Sequence, residues 1–187
     1  DLSAFYFDIR KDALYCDAKD SKKRQSTIIL LNVILNSLLR WFAPILSFTT
    51  EEIHRLIMHD DKSIHLKKFL NFPKRLQNEN LNQKWIELIK IRNICNISIE
   101  EKRTIKEIGS SLEASLRINL DKKLTDVSKD VDFSELCITS SVDVSYSENS
   151  ETKVETTKAE GLKCQLCWKI TKEACSRNTC PNTHNDF

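Results

Sequence analysis

The fold class is decided by residues 26–42, which read STIILLNVILNSLLRWF. Apolar residues in this stretch share the spacing of one helix face: Ile28, Leu31, Leu35, Leu38 and Phe42. Further apolar residues widen this face until most of the helix circumference is apolar, which is typical of a helix at the centre of a bundle. Pro44 is expected to end the helix, because proline cannot continue the backbone hydrogen bonding. The stretch therefore predicts the central helix of a mainly helical protein.

Helical patterns continue on the C-terminal side of this stretch. The sequence Thr49-Thr-Glu-Glu52 has the spacing of a capping box, which predicts a second helix over about 50–58. Apolar residues then recur at helical spacing and predict a third helix over about 81–108. The sequence Ser110-Ser-Leu-Glu113 repeats the capping-box spacing and predicts a short helix after it.

The pattern changes beyond Asn119 to short alternating runs that are typical of a small α/β segment. Residues 136–138 and 142–146 are predicted to be strands, and residues 126–134 a short helix or turn. The polar stretch 147–160 is interpreted as a flexible connection or, because it contains threonine and valine, as an edge strand.

The composition excludes several kinds of protein. The 187 residues include 2 glycines and 3 prolines, which argues against a glycine-rich phosphate loop and against a glycine-rich sandwich. Polar residues interrupt the longest apolar stretch and no secretory leader opens the chain, so we expect neither a membrane span nor export. In a reducing cytoplasm, clustered cysteines are more typical of metal ligands than of disulfides.

Cys164-Gln-Leu-Cys167 has the Cys-x-x-Cys spacing of a zinc knuckle, in which two thiolates reach one tetrahedral ion. A redox pair with the same spacing would need a βαβ context, which the surrounding pattern lacks. Two ordinary reduced cysteines are the third interpretation of this motif.

Cys175, Cys180 and His184 compete for the other two ligand positions of this metal site. We favour Cys175 and Cys180, which gives four cysteines, over Cys180 and His184, which gives three cysteines and one histidine. Asp186 is a further candidate. A site filled by four protein ligands leaves no open position for water, so the sequence predicts one structural Zn²⁺.

Trp168 directly follows the knuckle and is predicted either to stack on an unstacked base or to pack over the zinc loop. Basic residues are candidate phosphate contacts, with solvated surface charge as the alternative: Arg10, Lys11, Lys22, Lys23, Arg24, Lys67 and Lys68. The first 92 residues carry 16 Lys or Arg against 11 Asp or Glu, a positive excess compatible with such contacts. The spacing reveals no catalytic arrangement, and His54, His59 and His65 are interpreted as surface histidines.

Four segments resemble the C-terminal part of bacterial isoleucyl-tRNA synthetases: Leu2–Cys16, Arg40–Ile53, Ile108–Ala114 and Ala159–Trp168. The resemblance implies a mainly α protein that begins with the helical-bundle anticodon-binding domain of class I synthetases, over residues 1–118. It further implies a small mixed α/β subdomain and linker over 119–160, and a zinc ribbon-like module over 161–187.

By the same resemblance, the chain would bind isoleucine tRNA as part of a monomeric, cytoplasmic aminoacyl-tRNA synthetase. The family's adenylation signatures are absent, so ATP-dependent aminoacylation would belong to a catalytic domain outside this segment, which itself carries no catalytic centre. The family's second Cys-x-x-Cys is also absent, and alignment by loop length puts Thr183 at the fourth ligand position, with His184 or Cys175 as a substitute. Two other functions stay open: a free-standing tRNA-binding remnant or accessory protein, and a zinc-braced protein-interaction module.

Overall fold

A computed structural model describes residues 2–58, 62–148, 151–173, 175, 177, 179 and 180. The helices within these residues are α1 (Asp8–Cys16), α2 (Lys22–Phe42), α3 (Ser47–Met58), α4 (Glu79–Thr104), α5 (Thr125–Ser128) and α6 (Phe133–Leu136). The strands are β1 (Ala114–Asp121), β2 (Ser141–Ser147), β3 (Lys153–Lys158), β4 (Leu162–Lys163) and β5 (Ile170–Thr171). The chain divides into a larger compact unit, Asp1–Ala18 with Asn78–Phe187, and a smaller one, Lys19–Gln77. A mainly helical protein with a small mixed α/β segment is therefore confirmed.

The smaller unit is built from α2, α3 and the loop that follows them. α2 begins at Lys22, ahead of the apolar stretch that predicted it, because Ser21 caps the helix. The Ser21 hydroxyl accepts a hydrogen bond from the backbone N–H of Arg24 at 3.5 Å. α3 begins at Ser47, so the capping box predicted at residues 49–52 lies inside the helix and is wrong.

The loop after α3 is held by one carboxylate. Glu51 accepts hydrogen bonds from the hydroxyl of Ser63 at 2.8 Å and from the backbone N–H of Ile64 at 2.9 Å. The bonds from Ser63 and from Arg55 hold the pKa of Glu51 at about 2, below its ordinary value. Glu51 thereby holds Ile64 in the small apolar centre of this unit, which also contains Leu39 of α2 and Ala43, the residue that follows α2.

The larger unit contains a three-stranded sheet of order β2-β1-β3. β1 pairs in parallel with β2, where Leu116 lies opposite Val142, and antiparallel with β3, where Leu116 lies opposite Thr156. The apolar residues of β1 alternate with polar ones and are buried: Ala114, Leu116, Ile118 and Leu120. They share one core with the buried face of α4: Leu88, Ile91, Cys95 and Ile99. Ile9 of α1 joins the same core, so α1, α4 and the sheet pack as one unit.

Two of the strand predictions are confirmed and one is wrong. β2 confirms the strand at 142–146, and β3 confirms the edge-strand alternative for 147–160. The predicted strand at 136–138 is wrong, because Asp132 caps a helix there: its carboxylate accepts from the backbone N–H groups of Ser134 at 2.9 Å and Glu135 at 3.2 Å.

The sheet begins close to the boundary predicted between residues 118 and 119. The short helix expected after Ser110 is a single 3₁₀ turn, Ser111–Glu113, that leads directly into β1. β1 runs across the expected boundary between residues 118 and 119. Among the described residues, every helix is too short or too polar to cross a membrane.

Candidate metal centre and nucleic-acid interface

Four cysteine sulfurs converge at the C-terminal end of the described chain. Cys164 and Cys167 lie in the turn between β4 and β5, and Cys175 and Cys180 lie beyond β5. The four sulfurs all lie within 4.8 Å of one another, and those of Cys167 and Cys175 are 3.8 Å apart. A tetrahedral Zn²⁺ with bonds of about 2.3 Å would have sulfur–sulfur edges of about 3.8 Å. The cluster therefore has dimensions that could hold one metal ion.

Local backbone geometry shapes the turn that carries the first two cysteines. The N–H of Cys164 donates to the carbonyl of Lys169 at 2.9 Å, and the N–H of Trp168 donates to the carbonyl of Cys164 at 3.0 Å. Trp168 itself adopts a left-handed backbone conformation with φ of 62°. Gly161, with φ of 131°, lies so near β5 that an added Cβ would be 2.1 Å from the carbonyl oxygen of Thr171. A side chain at Gly161 would thus collide with the strand that closes the turn.

The electrostatics of the knuckle favour one thiolate. Burial raises the pKa of the Cys164 thiol, but hydrogen bonds from the backbone N–H groups of Cys167 and Leu166 outweigh it and bring the pKa to about 7. Burial raises the pKa of Cys167 to about 11, and burial also raises the pKa of Cys180. Because metal ligation requires thiolates, a bound cation would have to displace protons from these two cysteines.

The cysteine module, by which we mean the described residues from Leu162 to Cys180, rests on the end of α1. Arg177 donates to both carboxylate oxygens of Asp12, one of these contacts being 2.8 Å, and its Nε lies 3.9 Å from a carboxylate oxygen of Asp17. The hydroxyl of Thr179 donates to the carbonyl of Cys16. Burial alone would raise the pKa of the Asp12 carboxyl. The hydrogen bonds and the positive charge of Arg177 together outweigh burial and bring this pKa below its ordinary value. Arg177, Thr179 and their α1 partners had no signal in the sequence.

A cavity of about 630 Å³ lies where α1 meets the cysteine module. Its lining combines aromatic, apolar, basic and acidic side chains: Tyr15, Trp168, Cys16, Leu166, Lys11, Lys169, Asp8, Asp12 and Glu135. Tyr15 is 79% exposed and Trp168 60% exposed, and the Nζ of Lys163 lies 6.0 Å from the centre of the Trp168 ring. The aromatic faces at this cavity are thus accessible to a ligand from solvent.

The basic residues singled out in the sequence fall into three places. In the larger unit, Arg10 makes a half-buried ion pair of 2.8 Å with Glu135, and Lys11 pairs with Asp8 at 2.8 Å on the surface. In the smaller unit, Lys22, Lys23 and Arg24 lie in the first turn of α2. Lys67 and Lys68 follow the 3₁₀ turn Ile64–Leu66.

The histidines are placed as follows. His54 is buried, which corrects the prediction of a surface histidine, and its Nε2 lies 3.1 Å from the carbonyl oxygen of Lys62. His65 is exposed, with Nε2 at 3.3 Å from the carbonyl oxygen of Ser47. His59 and His184, together with Thr183 and Asp186, lie outside the described residues. The backbone contacts of His54 and His65 suit structural roles.

The helical part of the chain matches a known family. The profile of the anticodon-binding domain of tRNA ligase covers residues 1–118. The chain therefore belongs to the anticodon-binding domain family of tRNA ligases.

Curated relatives narrow the similarity to one kind of ligase. The isoleucine–tRNA ligase of Pelagibacter ubique is 64% identical over 96% of this chain and 20% of its own length. Those of Agrobacterium fabrum and Bartonella henselae are 39% and 35% identical, over 92% and 97% of this chain and 19% and 20% of their own lengths. The chain thus spans about a fifth of the length of these relatives.

Proposed function

We propose that this chain is the tRNA-binding part of an isoleucine–tRNA ligase and that it recognises the anticodon end of isoleucine tRNA. The observation that carries the proposal is the cavity between α1 and the cysteine module, where two exposed aromatic rings, Tyr15 and Trp168, lie beside Lys11 and Lys169. Unstacked bases bind aromatic faces, and lysines beside them neutralise the phosphates.

The cysteine module holds one structural Zn²⁺ in this proposal, with Cys164, Cys167, Cys175 and Cys180 as its ligands. Four thiolates around a divalent cation leave a net charge of −2. The hydrogen bond to Asp12 is the main cause that raises the pKa of Arg177, and the charge of nearby Cys167 adds to it. The ion ties together a segment that has too few apolar residues for a core of its own. In this proposal Cys175, and not His184, is the fourth zinc ligand.

Phosphate contacts come from the first turn of α2 in this proposal. Lys22, Lys23 and Arg24 lie at the N-terminus of a 21-residue helix whose first turn has no acidic residue. Cations at this end oppose the helix dipole and cost stability, whereas a phosphate would be attracted both by these cations and by the positive end of the dipole. Lys67 and Lys68, which follow the 3₁₀ turn Ile64–Leu66, and Lys11 of α1 are further candidate phosphate contacts. The ion pair of Arg10 with Glu135 favours a structural role for Arg10.

The remaining functions belong to the whole ligase. ATP-dependent attachment of isoleucine to tRNA would take place in a catalytic domain outside this segment. We propose that the parent enzyme is a cytoplasmic monomer, in which residues 1–118 form the helical anticodon-binding part, residues 119–160 the mixed subdomain and linker, and residues 161–187 the zinc module.

The test measures metal and RNA binding on the same preparation of the 187-residue chain. Zinc stoichiometry is determined first, and binding to isoleucine tRNA and to a tRNA with a changed anticodon is then titrated with salt. One zinc per chain, with tighter and salt-dependent binding of the matching tRNA, is the expected result. Equal binding of both tRNAs would leave a generic RNA-binding remnant, and no salt-dependent binding would indicate a protein-interaction module.

A further inference from the structure

The segment that supplies the second pair of cysteines also supplies the contacts to α1. Arg177 and Thr179 lie between Cys175 and Cys180, and the N–H of Cys180 donates to the carbonyl of Arg177 at 3.0 Å. A metal bound to these two cysteines therefore also restrains Arg177.

We infer that Arg177 is a positioning residue for RNA recognition: it locks the cysteine module onto α1 and so keeps Trp168 and Tyr15 at the same cavity. The inference rests on the proposed RNA-binding function. It assigns to the metal a second effect, because an ion that orders the segment around Arg177 also orders the surface that receives the base.

The geometry of the Arg177 contact is suited to fixing an orientation. A guanidinium that donates two parallel hydrogen bonds to one carboxylate defines direction as well as distance, which a lysine cannot do. The side chains of Arg177 and Asp12 are 26% and 25% exposed, so water screens this pair less than it screens a surface ion pair. Asp17 approaches the third nitrogen of the same guanidinium. All three nitrogens of Arg177 thus lie near carboxylates of α1 or of the residue that directly follows it.

The α1 residues that contact Arg177 and Thr179 also form one wall of the cavity. Asp12 and Cys16, which receive Arg177 and Thr179, both line the cavity, as do Cys167 and Trp168 on the opposite side. The thiol of Cys16 also lies 3.8 Å from the carbonyl oxygen of Leu166 in the knuckle. Loss of the Arg177 contact would therefore change the separation of the two walls, although Arg177 itself does not line the cavity.

The experiment uses the full chain and compares Arg177→Ala with Lys172→Ala. Lys172 lies in the same module and pairs with Glu160, but both side chains are more than three-quarters exposed, so its replacement removes one positive charge without touching α1. Zinc stoichiometry, affinity for isoleucine tRNA and the salt dependence of that affinity are measured for each variant.

We expect Arg177→Ala to retain one zinc and to lose roughly tenfold in affinity, within the ~5- to ~150-fold range of couplings between sites. The slope of log affinity against log salt should stay unchanged, whereas loss of a direct phosphate contact would reduce the slope by about 0.7 to 0.9. Lys172→Ala should leave the affinity within about twofold, since exposed ion pairs contribute little. Arg177→Lys should restore only part of the loss, because lysine keeps the charge but not the paired donors.

Asp12→Asn removes the same contact from the α1 side and leaves the cysteine segment intact. It therefore still tests the positioning role if Arg177→Ala loses its metal. Unchanged affinity in Asp12→Asn, or a reduced salt slope in Arg177→Ala, would overturn the positioning role. Failure of the proposed function is a different result: the unmodified chain itself would then show no salt-dependent binding of tRNA.

Discussion

Replacing Trp168 by alanine should weaken tRNA binding without destabilising the protein. The ring is 60% exposed, so its removal leaves no buried cavity and little change in the free energy of unfolding. Stacking of one base on an aromatic ring is worth ~1–3 kcal/mol, which corresponds to a loss of roughly 5- to 150-fold in affinity. Trp168→Phe keeps an aromatic face and should lose less.

The assay is fluorescence anisotropy of a labelled anticodon stem-loop, combined with thermal unfolding of each variant. Trp41→Ala is the matched control, because Trp41 is also about half exposed, at 54%, but belongs to α2 in the smaller unit. Equal losses in the two tryptophan variants, or no loss in Trp168→Ala, would refute base stacking on the knuckle. The second result would leave the alternative in which the ring only covers the zinc loop.

Three further predictions concern the metal, acid and the core. Cys164→Ser should abolish stoichiometric zinc binding and speed amide hydrogen exchange in β4 and β5, with β1 still protected; retained zinc would contradict the ligand assignment. Glu51, whose folded pKa of about 2 lies below its ordinary value of 4.5, should stabilise the loop above about pH 4.5 and lose this effect as the pH falls towards 2. The protection factor of the Ile64 amide, the ratio of its intrinsic to its measured exchange rate at the same pH, should therefore fall on acidification in the unmodified chain but less so in Glu51→Gln, and identical pH profiles would oppose this explanation. Leu116→Ala, at a residue with 0% exposure, should lower the free energy of unfolding by about 2–5 kcal/mol in urea titrations, and a change below about 1 kcal/mol would show that β1 is not the centre of the core.

The helices could be predicted because their signal is periodic and long. The apolar spacing of α2 was unambiguous, but its first turn has no apolar residue and was missed, since Ser21 starts the helix through a cap. Short runs carried less information: residues 136–138 have the apolar content of a strand and of a buried turn alike. In β1, apolar and polar residues alternate strictly over Ala114–Asp121, which is the pattern of a strand. The capping-box spacing at residues 110–113 nevertheless led to the prediction of a helix there.

The candidate site was predictable only as far as local spacing reaches. Cys164-Gln-Leu-Cys167 is a motif of four consecutive residues, and it identified the knuckle and the adjacent Trp168. The choice between Cys175 and His184 depended on how a loop folds back, which spacing does not specify. The ion pair of Asp12 and Arg177 joins residues 165 positions apart, and neither residue type is unusual at a protein surface. Such a pairing follows from the tertiary fold and leaves no local pattern.

That separation has a consequence for biosynthesis. A ribosome adds ~5–20 residues each second, so Arg177 is polymerised roughly 8–30 s after Asp12. During this interval α1 has been made but its partner has not, and the whole smaller unit, Lys19–Gln77, is translated in between. The last of the four cysteines, Cys180, follows Arg177 by three residues. Capture of the metal and docking onto α1 therefore become possible almost simultaneously, which makes the supply of metal at that moment a determinant of how the nascent chain folds.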